Sequence, residues 1–211
     1  MLKRAPVTKA ILIIIAIVYV PEFFIPQQMF EAFALVRGTL ARHEYWRLVT
    51  AMFLHAPPLE ESWGWLHWAA NSWAILQVGA LYEVLFGSKR FTLVYFVSGI
   101  CASIASSMHI NGFGVGASGA VFGILGALVL SVWRSPQYRR QPWTRSLIGQ
   151  LLFWIAFNLY FGYRVKVIDN VAHVGGLVAG LLLGFIPHRV PPPSPSSTVI
   201  DVQPYDEGGS F

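Results

Sequence analysis

Ser118 stands in Gly116-Ala117-Ser118-Gly119, at the head of an uncharged stretch that runs to Trp133. A hydroxyl on a glycine-flanked turn becomes a nucleophile only if a base is near enough to take its proton. His173, in a second apolar segment, is the candidate base. A neutral imidazole accepts a serine proton and later returns it to a leaving amine. His173, Gly176, Gly180 and Gly184 fall at i, i+3, i+7 and i+11, so one helical stripe carries all four. Gly119 and Gly123 form a Gly-x-x-x-Gly pair on the serine's own segment. Small residues on both faces let helix backbones approach closely. That approach can bring a serine and a histidine within hydrogen-bond reach, roughly 3 Å.

Acyl-transfer chemistry also needs donors for the oxyanion. His67 and Asn71 are spaced i, i+4 and share one face of a third segment. The backbone N–H of Ser118 is a third source, because the first N–H groups of a helix are unpaired. Each residue has a plainer reading beside the chemical one. Ser118 could cap its helix, and Asn71 could be an interhelical hydrogen-bond link. A lone His173 would read as structural; its glycine stripe and the serine together favour a Ser–His dyad. Asp169, four residues before His173, either orients the imidazole or caps the helix that follows, where a carboxylate suits the dipole.

The elements that position these residues are membrane-length. Of 211 residues, 55% are hydrophobic and only 12% are charged, and the mean hydropathy is +0.55. Soluble domains carry about 25% charged residues. Spans of roughly 20 apolar residues read at about 9–25, 66–86, 91–110, 115–133, 146–163 and 170–187. The fold class expected is therefore all-α, a polytopic bundle of six transmembrane helices occupying residues 1–190. The first segment could also pass for a signal peptide, but Pro21-Glu22-Phe23-Phe24 replaces the small-x-small cleavage pattern.

With the N-terminus inside, ten Lys and Arg residues fall on inner loops and five on outer ones, accounting for all 15. Arg134, Arg139, Arg140 and Arg145 weigh most, and the bias predicts both termini cytoplasmic. The net charge of +5 is thus a topology signal rather than a nucleic-acid footprint. The long outer loop, about 26–65, holds an amphipathic stretch near Gln27–Arg37. Tyr45, Trp46, Trp63, Trp65 and Trp68 suit the headgroup zone. The Pro-rich tail, 191–211, is expected to be a disordered cytoplasmic segment. Cys101 stands alone, so no disulfide or thiolate cluster is expected. His43-Glu44 lacks the second histidine of a zinc motif, and neither metal nor cofactor is expected.

These residues resemble the rhomboid family of intramembrane serine proteases. The resemblance covers about Tyr45 to Pro187 and rests on four elements in order. They are Trp46-Arg47, His67-x-x-x-Asn71, Gly116-Ala-Ser118-Gly119 and Ala172-His173-x-x-Gly176-x-x-x-Gly180. It implies a six-helix fold with a water-filled cavity open to the outer face. It further implies that Ser118 is the nucleophile and His173 its base, with His67, Asn71 and the Ser118 amide as oxyanion donors. Gly116 would shape the turn, Gly119, Gly176 and Gly180 the helix contacts, and Trp46 and Arg47 would anchor the loop. The partners implied are single-span transmembrane substrates cleaved near the outer face of the bilayer. The expected location is a bacterial plasma membrane. Phe122 stands where many relatives have a tyrosine packed on the histidine, so stacking survives and a hydroxyl role is lost. His55 matches a histidine that relatives carry before the His-x-x-x-Asn element, across an expanded gap, and stays outside the catalytic set. The rival from another class is a non-enzymatic membrane protein, a small transporter or a rhomboid-like client-binding protein.

Overall fold

A computed structural model describes residues 2–55, 64–165 and 167–187. Among them the secondary structure is helical, apart from one isolated antiparallel bridge between Leu35 and Gly114. The helices in chain order are α1 (Pro6–Phe24), α2 (Pro26–Phe33), α3 (Arg47–Thr50), α4 (Gly64–Ala74), α5 (Ala80–Phe86), α6 (Ser88–Ser107), α7 (Ser118–Arg134), α8 (Pro136–Arg139), α9 (Trp143–Arg164) and α10 (Asn170–Gly184). A π-helical stretch, Ile75–Gly79, joins α4 to α5, so one continuous rod fills the second expected span. The six expected apolar segments each coincide with a helix, with ends shifted by a few residues. By length and composition α1, α6 and α9 can each cross a bilayer, while α7 and α10 are shorter apolar helices. Trp63, the loop gap at 56–63, Lys166 and the tail at 191–211 lie outside the described residues.

The core centres on α7, where every residue from Gly119 to Leu128 is buried. Two helices close on it through missing side chains. A Cβ built on Gly176 would collide with the backbone carbonyl of Gly119, and one on Gly180 with the carbonyl of Gly123. The i, i+3, i+7 stripe of α10 therefore lies backbone to backbone against α7. From the other side α6 presses Ala102 against Gly119 and Ser98 against Gly123. Lipid supplies no hydrophobic drive between helices, so contacts this close gain their energy from van der Waals packing. At the periphery α9 turns Phe153, Trp154, Phe157 and Tyr160 outward, as a lipid-facing helix does.

Buried carboxylates tie α1 to its neighbours. Near its start, Val7 N–H, Thr8 N–H and Thr8 Oγ all donate to Glu83 of α5, which also accepts from Ser88 Oγ. Near its end, Glu22 accepts the backbone N–H of His55 at 2.8 and 3.1 Å from its two oxygens. The intervening segment folds back on itself around Arg47. This guanidinium donates to Glu44 Oε2 and to the carbonyls of Ala34 and Glu31. Trp46 Nε1 donates to the Ala32 carbonyl. The amphipathic stretch expected in this loop forms α2. The Trp68 ring stacks on Tyr19 of α1 with centroids 5.1 Å apart and planes 8° from parallel.

The helix contact yields a direct test. Gly180→Val drives a branched side chain into the α7 backbone, where nothing flexible can move aside. It should lower stability by at least about 2 kcal/mol, read as a fall in thermal midpoint in detergent, while membrane insertion persists. An unchanged midpoint would contradict the close packing.

Candidate active site

Ser118 is the first residue of α7 and Ala117 holds the cap position; among the described residues the Ser118 hydroxyl makes no capping bond. The capping role open to Ser118 in the sequence is therefore not the one its side chain plays. The turn before it is pinned on two sides. Gly116 N–H donates to the Ala51 carbonyl at 2.9 Å, and Gly114 and Leu35 exchange a pair of backbone hydrogen bonds. The Arg47-centred loop thus sets where the serine turn sits.

Gly116 has φ of +116°, a backbone region that side-chain-bearing residues rarely enter. It must also leave room for a ring. A Cβ there would lie 2.7 Å from Cε1 and 2.7 Å from Nε2 of His67, and 3.7 Å from Nδ2 of Asn71. Both members of the i, i+4 pair on α4 therefore face the serine turn. Asn71 is buried and its Nδ2 also donates to the His67 carbonyl on its own helix at 3.0 Å.

His173 is buried on the first turn of α10. Its ring stacks on Phe122 with centroids 4.2 Å apart and planes 11° from parallel, which fixes the imidazole plane. Phe122 lies four residues after Ser118, so one face of α7 presents both the hydroxyl and the ring that holds the base. The backbones meet beside them: a Cβ on Gly119 would lie 3.5 Å from the Ala172 carbonyl. Nδ1 of His173 has no hydrogen-bond partner among the described residues, and no hydrogen bond joins Ser118 to His173. Catalytic hydrogen bonds are often long in unliganded hydrolases and tighten when substrate binds. Asp169 is spent elsewhere. One oxygen caps α10 through Ala172 N–H at 2.9 Å, and the other accepts from Ser106 Oγ on α6. Of its two readings, the cap is the one the geometry carries.

His55 flanks the pair from outside. It is fully buried, its ring centroid 5.2 Å from that of His67, and among the described residues neither ring nitrogen has a partner. Burial, with His67 adding to it, pushes its pKa down to about 3, so the imidazole stays neutral. Among the described residues no group of three or more His, Cys, Asp or Glu side chains gathers as a metal site would. Sequence reasoning passed over Glu22 and Glu83 as elements of structure. The available signal was their chemistry: a carboxylate inside an apolar run is costly and needs a partner.

Gly116→Ala tests the turn. The substitution combines a disfavoured φ with a methyl pressed on His67. It should slow covalent labelling of Ser118 by a fluorophosphonate by about tenfold or more, with helix content by circular dichroism unchanged. Labelling at the parent rate would show that the turn tolerates a side chain.

The family model described as "Rhomboid domain" matches residues 42–190, well over half of the chain. Rhomboid protease GluP of Bacillus subtilis is 39% identical over 141 residues, 67% of this chain and 26% of that protein. RHOMBOID-like protein 1 of Arabidopsis thaliana is 39% identical over 146 residues, covering 69% of the chain and 35% of the relative. Putative rhomboid protease YdcA of Bacillus subtilis is 33% identical over 149 residues, 70% of the chain and 69% of that protein. The chain thus spans well under half the length of the first two relatives. Residues 42–190, matched by the family model, hold both α7 and α10, and on that match the chain belongs to the rhomboid family of membrane proteins.

Proposed function

We propose that the protein is an intramembrane serine endopeptidase that works through a Ser118–His173 dyad. The observation that carries this reading is the meeting of α7 and α10 without side chains, which brings Gly119 against Ala172 and stacks His173 on Phe122. The named proteases among its relatives support the same class of chemistry. In this reading the six long apolar rods, with α4 and α5 counted as one, all cross a bilayer, with both termini cytoplasmic. The membrane is a bacterial plasma membrane. The substrate is a single-span protein whose helix unwinds near the outer face, since attack needs extended backbone, and helix-breaking residues favour that.

The chemistry follows from the residues. His173 takes the proton of Ser118 Oγ as the oxygen attacks the scissile carbonyl. Negative charge then develops on the carbonyl oxygen. The N–H of Ser118 and the side chains of His67 and Asn71 face the turn where that charge forms, and donors fixed beforehand cost no reorganisation at that moment. Collapse of the tetrahedral adduct breaks the C–N bond, and His173 gives its proton to the departing amine. Water, deprotonated by the same imidazole, hydrolyses the acyl-enzyme. Asp169 is bonded to Ser106 and to the Ala172 N–H, so among the described residues no carboxylate holds the imidazole in place through a hydrogen bond. Stacking on Phe122 and the rigid first turn of α10 do that work. Gly116, Gly119, Gly176 and Gly180 serve by letting His67 and the base come close.

Ser118→Ala is the test. In lipid nanodiscs the parent protein should cleave a model transmembrane substrate and take up a fluorophosphonate. The variant should take up none and cleave at least about a thousandfold more slowly. Cleavage by the variant at the parent rate would remove Ser118 from the mechanism, and no cleavage by the parent protein would return it to the non-enzymatic class.

A further inference from the structure

Glu22 is buried completely near the end of α1, far in sequence from the dyad. Both of its oxygens lie within hydrogen-bond distance of one donor, the backbone N–H of His55. Among the described residues this is the sole hydrogen bond that ties the second half of α1 to the outer loop. Around it sits a closed cluster of rings. Tyr19 of α1 stacks on Trp68 of α4 at 5.1 Å and meets His55 edge-on at 6.4 Å. The His55 ring lies 5.2 Å from His67, whose own ring rests against the serine turn at Gly116. A buried carboxylate is costly, and a plain packing position would be filled more cheaply by an apolar side chain. His55 is also the last described residue before α4, the helix that carries His67 and Asn71.

We propose that Glu22 is a positioning residue for the oxyanion donors. It holds the His55 backbone against α1, which keeps the His55 ring on the flank of His67 and His67 against the serine turn. Without that hold the His55 ring leaves its site, and His67 gains room to swing away from the developing charge. Among the described residues the Tyr19 hydroxyl, both His55 ring nitrogens and Trp68 Nε1 have no hydrogen-bond partner and form no competing anchor. This inference rests on the proposed hydrolase reading and adds a residue to it.

Three measurements test it on the full-length protein in nanodiscs. Glu22→Leu should lower kcat about tenfold with KM within about twofold of the parent, because alignment rather than binding is lost. Glu22→Gln, which keeps an acceptor for the His55 N–H, should recover most of that loss. In a His67→Ala background, Glu22→Leu should cost nothing further, since two residues acting through one interaction are not additive. Parent-like kcat in Glu22→Leu, or an undiminished effect in the His67→Ala background, would overturn the proposal. Amide hydrogen exchange of the parent protein supplies a readout that needs neither activity nor a folded variant. The His55 amide should be protected to the level of the α7 core, and rapid exchange there would also overturn it. A parent protein with a protected His55 amide but no Ser118-dependent cleavage would instead sink the hydrolase reading on which this role depends.

Discussion

The structure depends on one contact: the carbonyls of Gly119 and Gly123 occupy the places where side chains at 176 and 180 would begin. A helix pair normally keeps its axes 8–10 Å apart because side chains fill the gap. Removing them at regular spacing brings the two backbones together and converts a lipid-exposed pair into a rigid unit. His173 sits one turn before Gly176 on the same stripe, and Ser118 immediately before Gly119. Their proximity is thus a consequence of packing that glycine permits and any larger residue denies. α6 completes the unit with Ser98 and Ala102, small residues that let a third helix reach the same level of α7.

Polar groups do a second job around this unit. In hydrocarbon an unpaired polar atom is expensive, so each buried carboxylate marks a join. Glu83 gathers four donors from α1 and the start of α6. Asp169 caps α10 and reaches α6 through Ser106. Glu22 joins α1 to the end of the outer loop. The loop itself is ordered by Arg47, whose donors close its two arms on each other, and by the backbone pair between Leu35 and Gly114. This last pair carries the order of the loop across to the serine turn.

Most of this architecture was legible in the chain. Helix existence followed from long apolar runs, because in lipid the backbone must satisfy itself and helix is the local way to do so. The α7–α10 contact followed from glycine spacing, which has only one geometric meaning on a helix. What escaped was of two kinds. The π-helical stretch at Ile75–Gly79 and the fold of the outer loop depend on contacts distant in sequence, such as Arg47 with Ala34 and Glu31, which leave no periodic trace. The carboxylates at 22 and 83 left a trace, an ionisable residue within an apolar run, but their partners are backbone and hydroxyl groups that no sequence pattern distinguishes. Asp169 shows the limit from the other side: its spacing to His173 suited two roles, and Ser106, far off in the chain, leaves it the cap.

The central proposal is that the serine turn, the α4 face and the first turn of α10 form a single acyl-transfer site. The structure of the protein after reaction with a fluorophosphonate tests it most directly. The expected result is a covalent bond to Ser118 Oγ, with the phosphonyl oxygen roughly 3 Å from the Ser118 N–H and from the side chains of His67 and Asn71. An adduct on another residue, or a phosphonyl oxygen turned away from α4, would contradict it.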